Sequence, residues 1–327
     1  MSEPQARTNR ASPQAAGAVL MVRPAVFYGN PDTAASNAFQ TPTRLSTPEL
    51  TARARRESDS VVAALGDAGV EVCVVDAAPA DDTPDALFPN NWISTAPDGT
   101  VTLYPLHAPN RRRERRLDIV AALSERFAFS VGRVLDLSGL ESEGQAVEGT
   151  GSLVLDHRFR VAYVCRSARS TDAGIAAAAG ALGYQPMTFD ATDQHGQPIY
   201  HTNVMLAIGD AWSVVCLEAI EGENERRQVA VALARERELI VIDRAQMAEF
   251  AGNVLELRSR SGAPVLAVSE RAWTAYSPAQ RSALERHARP VPVAIPTIEA
   301  VGGGGIRCLL AEIFLPRRAS ANRGAGV

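Results

Sequence analysis

The sequence predicts an α/β fold built from about five repeats of a ββαβ unit. Three observations carry this: short apolar runs alternate with amphipathic helical stretches along the chain, the cycle recurs at roughly 50 to 60 residues, and no long stretch of either type stands alone. A doubly wound nucleotide-binding fold would need GxGxxG or GxxxxGK between a first strand and a helix. Neither is present, and the only glycine run, Gly302 to Gly305, precedes a strand pattern rather than opening a helix.

The elements follow in order. Residues 1–17 and 317–327 are polar or small-residue stretches without periodicity and read as tails flanking a single domain over 18–316. AVLMVRP, ended by Pro24, is a strand, and the turn formers of FYGNPDTAASNAFQTP follow it. Thr47-Pro48-Glu49 starts a helix whose apolar positions Val61, Val62, Leu65 and Ala68 run until Gly69 closes it. VEVCVVD is a strand, as are the segments around FPNNWIS and TVTLYPL, joined at Pro97-Asp98-Gly99. A helix is expected from about Arg113 to Phe127, then strands at VGRVLDLS, GSLVLD and RVAYVCRS and a helix over Asp172 to Leu182. Strands at 186–189, 200–208 and 212–217, a helix over 225–235 and a strand at ELIVID make the next cycle. AGNVLELR, APVLAVS, a helix over 278–288, a strand at 291–295 and a final strand at 309–315 complete the chain.

Of the 327 residues, 46% are hydrophobic and 21% charged, enough to bury a large core. A formal net charge of −4 gives no reason to expect nucleic acid or a membrane surface as partner. The four cysteines, Cys73, Cys165, Cys216 and Cys308, have neither zinc-ligand nor disulfide spacing, so reduced thiols, no metal and a cytoplasmic location are expected. No apolar run approaches the ~20 residues of a membrane span.

The chemistry-bearing residues stand out by context. Cys308 follows four glycines that let a ligand approach the backbone, and Arg307 beside it favours a thiolate, which makes it the candidate nucleophile. A thiol attacking carbon needs a proton donor for the leaving group. Four of the five histidines lie in turns or charged contexts, whereas His201 heads the apolar run YHTNVMLAIG. Glu148, between an apolar residue and glycines in VEGTGS, is a poorly solvated carboxylate, and Glu299 beside the glycine run is a second candidate. The run NRRRERR supplies Arg111, Arg112, Arg113, Arg115 and Arg116. One of these, with Arg112 and Arg115 singled out, is expected to clamp a small carboxylate while the others form a solvated face.

Taken in order, FPNNW, NRRRERR, VEGTGS, YHTNV, FAGN and GGGGIRC resemble the amidinotransferase and arginine deiminase superfamily, the pentein fold, and within it the citrulline-utilisation hydrolases. The resemblance covers about Val22 to Pro316. It implies a five-fold pseudosymmetric propeller of ββαβ units and a cofactor-free Cys–His–Glu hydrolase, with Cys308 as nucleophile, His201 as general acid and base, and Glu148 beside it. It also implies substrate contacts from Asn90, Asn91, Asn203 and Gly304, and a homodimer. Members acting on arginine usually have aspartate where Asn91 stands, and arginine deiminases and amidinotransferases have another at Asn203. Two amides at these positions favour a neutral ureido group over a guanidinium, hence citrulline over arginine or dimethylarginine as substrate. The other activities of the superfamily are the alternatives: arginine deiminase, dimethylarginine dimethylaminohydrolase, amidinotransferase and non-catalytic binding protein.

Overall fold

A computed structural model describes residues 13–318. Strands β1 (Ala18–Arg23) and β2 (Glu71–Asp76) run parallel, joined by a helix over Thr47–Asp67. That helix opens on a capping box formed by Ser46 and Glu49, and it buries Leu50, Ala54, Val61 and Leu65. Four complete units follow, each with a first strand antiparallel to a second, then a helix, then a third strand parallel to the second. They comprise β3 (Ile93–Thr95), β4 (Thr100–Leu103) and β5 (Arg133–Asp136); β6 (Val154–Asp156), β7 (Val161–Cys165) and β8 (Gln185–Phe189); β9 (Leu206–Ile208), β10 (Trp212–Val215) and β11 (Glu238–Val241); and β12 (Leu255–Arg258), β13 (Pro264–Ser269) and β14 (Arg289–Val293). The crossover helices are Leu117–Glu125, Asp172–Leu182, Glu223–Leu233 and Pro278–Glu285.

The fifth sheet is assembled from both ends of the chain. Strand β15 (Ala311–Ile313) pairs antiparallel with β1, Ala18 facing Ile313 and Leu20 facing Ala311, which gives the order β15-β1-β2. The five first strands, β3, β6, β9, β12 and β15, sit next to one another as an inner ring, with the helices outside. Their central strands are nearly fully buried: Val101, Leu103, Val164, Val214, Leu266 and Val268 are each at most 3% exposed. Burial on both faces explains why these strands read as continuous apolar runs rather than alternating ones.

A short helical turn or bend precedes each first strand and brings its residues to one end of the ring. The turns are Pro89–Asn91, Gly149–Ser152, the bend ending at Asn253, Thr202–Val204 and Ile306–Leu309. Two sequence expectations change here. The segment 200–208 is a strand only from Leu206, and 309–315 only from Ala311, because three to four residues are spent on the turn. The helix expected from Arg113 begins at Leu117, because residues Pro109–Glu114 coil into a tighter 3-10 turn that carries Arg111 inward.

The tail expectations fall on residues 1–12 and 319–327, outside the described residues, and partly on residues that pack. Gln14 is buried and donates to the Leu155 carbonyl, Ala16 bridges Leu257, and the Arg318 amide donates to the Ala128 carbonyl. Among the described residues no helix is long and apolar enough to cross a membrane, and no group of three or more His, Cys, Asp or Glu is placed to hold a metal ion.

Candidate functional site

The turn Ile306–Leu309 presents Cys308, with its amide donating to the Gly305 carbonyl. The glycines before it are required by space: a Cβ on Gly304 would come within 2.9 Å of the Phe88 ring, and Gly303 has φ +63° with the Asn37 amide where its Cβ would lie. Cys308, His201, Asn91, Asp85, Arg111 and Arg169 line one small pocket at this end of the ring. A larger cleft, about 600 Å3, lies at the far ends of the first strands around His157, Tyr184 and Phe314, away from the thiol.

His201 and Glu148 come from neighbouring turns. His201 Nε2 lies 2.8 Å from Glu148 Oε2, so a carboxylate there accepts from Nε2–H and leaves Nδ1 with its lone pair free for a proton. The second carboxylate oxygen of Glu148 accepts from the His107 amide at 3.0 Å, and Arg111 and Arg169 stand 3.4 and 3.6 Å from Oε2. Burial alone would push the Glu148 carboxyl up, but Arg169, the His201 bond and Arg111 hold it far below the ordinary carboxylate range. Burial pushes His201 down to about 4 despite its bond to Glu148, so the imidazole is neutral at pH 7. Burial likewise pushes the Cys308 thiol up, opposed by hydrogen bonds from Asn253 and Asn203 and by the Arg307 charge. The resting site is therefore a neutral thiol and a neutral imidazole beside an ionised carboxylate, a set able to move a proton from sulfur to nitrogen as sulfur attacks.

The structure brings Cys308, His201, Glu148, Asn91, Asn203 and Gly304 together; Asn203 Nδ2 lies 3.7 Å from Cys308 Sγ. Asn90 is buried behind Asn91 and accepts from its Nδ2 at 3.1 Å. Arg112 and Arg115 do not line the pocket. Both are drawn to Glu141, at 3.2 and 2.5 Å, and Arg115 also donates to the Tyr104 carbonyl. Arg116 pairs with Asp118 and Arg113 is exposed, which leaves Arg111 as the member of the cluster that faces inward. Arg111 is also tied by two 2.9 Å bonds to buried Glu114. Glu299 lies in a π-helical turn, Ile298–Gly302, that supports the glycines, and it does not line the pocket.

Three pocket residues had no sequence signal. Arg169, on the loop after β7, stacks 4.7 Å over the Tyr200 ring and donates to Ser36 and the Thr33 carbonyl. Asp85 accepts from Asn30 Nδ2 at 2.7 Å, lies 3.5 Å from Arg111 and keeps its Oδ1 without a partner. Asn37 donates to the Gly302 carbonyl. A buried arginine and a half-satisfied aspartate in a loop are signals only once the loop is known to be inside.

The family pattern of N,N dimethylarginine dimethylhydrolase, eukaryotic, matches residues 23–315. The chain belongs to this family. It is a family of hydrolases acting on C–N bonds other than peptide bonds, within the amidinotransferase superfamily of pentein folds. The dimethylhydrolase-family chain is similar in structure to ArgZ, an arginine dihydrolase from the ornithine-ammonia cycle in cyanobacteria, whose apo form aligns with TM-score 0.70 at 16% identity over 90% of this chain and 40% of that one. The N-terminal domain of ArgZ bound to product aligns with TM-score 0.69 at 15% identity over 90% of this chain and 96% of that one. DDAH from Pseudomonas aeruginosa, as a cysteine-to-serine mutant complexed with citrulline, aligns with TM-score 0.62 at 14% identity, covering 91% and 100% of the two chains. The chain thus spans 40% of the length of whole ArgZ. No curated protein matches it by sequence.

Proposed function

We propose that this protein hydrolyses the ureido group of a free amino acid, citrulline, to ornithine, ammonia and carbon dioxide. The observation that carries the reading is that Asn91, which lines the pocket with Cys308, and Asn203, whose Nδ2 lies 3.7 Å from the sulfur, are both amides. A guanidinium carries five N–H donors and a charge that carboxylates compensate; amides accept its bonds and leave its charge bare. A ureido oxygen accepts an amide N–H that a guanidinium could not.

In the proposed reaction the Cys308 proton passes to His201 as Sγ bonds to the ureido carbon, giving a tetrahedral adduct. His201 returns the proton to the terminal nitrogen, the C–N bond breaks, and ammonia leaves a thiocarbamate on sulfur. Water, deprotonated by His201, adds to the thiocarbamate carbon, and the C–S bond breaks with proton return to the thiol. The resulting carbamate of ornithine loses carbon dioxide. Glu148 fixes the imidazole throughout, and no cofactor takes part. Arg169 and Arg111, which line the same pocket, suit the α-carboxylate of the substrate, and the unpartnered Oδ1 of Asp85 suits its α-ammonium.

The guanidino substrates arginine and dimethylarginine are the second reading, favoured by the family assignment and by the arginine dihydrolase likeness. Competition kinetics separate the two. Citrulline is expected to have the highest kcat/KM of the three, Cys308→Ser to abolish its turnover, and Asn91→Asp to shift preference toward the cation. A kcat/KM for arginine or dimethylarginine above that for citrulline overturns the neutral-substrate reading.

A further inference from the structure

Each of the five units sends at least one polar group to the centre of the ring, and the contribution of the fourth, Asn253 of the FAGN motif, has no part in the proposed reaction. Its side chain is fully buried and makes three contacts. Oδ1 accepts from the Arg307 backbone amide at 3.0 Å, while Nδ2 donates to the Asn203 carbonyl at 2.9 Å and lies 3.4 Å from Cys308 Sγ. Two of these partners fix the orientation of the amide, because a backbone N–H demands an acceptor and a backbone carbonyl demands a donor. The nitrogen therefore faces the sulfur. Asn203 differs: its Nδ2 and Oδ1 lie 3.7 and 4.0 Å from the same sulfur, and it takes no such pair of backbone partners.

The surrounding chain makes room for this amide. A Cβ on Gly305 would fall 2.5 Å from Asn253 Oδ1, and a Cβ on Gly252 would fall 2.4 Å from the Val204 carbonyl. A side chain on Gly305 would thus collide with the amide itself, and one on Gly252 with the Val204–Met205 backbone next to its partner Asn203.

We propose that Asn253 is the group that holds Cys308 Sγ in position and takes up its negative charge as the proton leaves, donating Nδ2–H to the sulfur while the Arg307 amide polarises it from the other side. The need is set by the chemistry of the substrate. A cationic guanidino substrate would itself favour the thiolate on entering the site, whereas a neutral ureido group brings no charge, so N–H donors built into the protein must supply that stabilisation. This rests on Cys308 being the nucleophile of the reaction proposed above.

Alkylation of the substrate-free enzyme tests it. The rate of iodoacetamide labelling at Cys308, read by mass spectrometry of its peptide against pH, requires no turnover, so it stands or falls separately from the choice of citrulline. Asn253→Ala should move the inflection of that profile upward by about one pH unit or more, and the isosteric Asn253→Asp, which keeps the acceptor for Arg307 and sets a carboxylate against sulfur, by more. Melting temperatures of the two variants report folding. A residue that only ties the loops together would change melting temperature and labelling rate alike at every pH and leave the inflection where it is. Inflections within 0.3 unit of wild type in folded variants overturn the proposal. If neither variant folds, the Asn253 side-chain amide resonances of wild-type protein decide: they are expected to titrate with Cys308 and to lose that titration in Cys308→Ala, and resonances flat with pH overturn it.

Discussion

Arg111 and Arg169 both stand within 3.6 Å of Glu148, yet their replacement should read out differently. Arg111 holds Glu114 through two 2.9 Å bonds, and both side chains are about 2% exposed or less. Arg111→Ala strands a buried carboxylate and is expected to cost about 3 to 5 kcal/mol of stability, measured by denaturant unfolding. Arg169 bonds to Ser36 and a carbonyl and also faces Glu148, a carboxylate that keeps Arg111 and His201 as partners, so Arg169→Ala should leave a folded enzyme whose KM rises by roughly 2 to 4 kcal/mol of lost substrate binding, with Arg112→Ala as an unchanged control. Glu299 gives a pH-dependent case. Burial pushes its carboxyl up to about 7, and its Oε1 has no partner. An acid raised in the folded state stabilises it below the unfolded value near 4.5, and that contribution is lost as pH rises through about 7. Glu299→Gln should therefore gain on wild type as pH rises from 5 to 8, by up to about 3 kcal/mol, with no such trend below 4.5; melting temperatures across that range check it.

At the scale of the elements, the turns that deliver the site depend on missing side chains. A Cβ on Gly151 would fall 2.5 Å from Asn91 Nδ2 and 2.8 Å from His201 Nδ1. Gly151→Ala should thus lower kcat by at least tenfold, about 1.4 kcal/mol, through a displaced imidazole. Gly180, in the helix Asp172–Leu182, has open space around it, so Gly180→Ala is expected to stabilise by about 0.5 to 1 kcal/mol. The same elements show what was legible in the sequence. The alternation of apolar strands and amphipathic helices gave the five units, since burial of central strands and one-sided burial of helices each leave a periodic trace. The turns Thr202–Val204 and Ile306–Leu309 left none: all their residues are buried, so they extend the apolar run of the strand that follows. Cys308, His201 and Glu148 stood out because each is a reactive group in apolar or glycine-rich surroundings. Arg169 and Asp85 did not, because loop residues carry no periodicity and their burial depends on units far away in sequence. Arg112 and Arg115 were singled out for charge density, and the geometry gave them to Glu141 instead.

For the molecule as a whole, closure of the ring rests on β15 lying against β1. Ala311 and Ile313 share a buried cluster with Leu20, Val22, Val101 and Leu103, so the seam is part of the core. A chain ending at residue 310 should lose its cooperative unfolding transition and expose the β1 amides to hydrogen exchange, even though residues 18–310 contain every group that lines the pocket. The same seam has a consequence for synthesis on the ribosome. Cys308, the proposed nucleophile, lies three residues before the strand that closes the ring, so during translation the thiol emerges after all of its partners and just ahead of the strand that locks them in place. A protein released early would carry four units and no competent sulfur. The order of the chain thus delivers the Cys308 thiol only after the other residues of its pocket have been made.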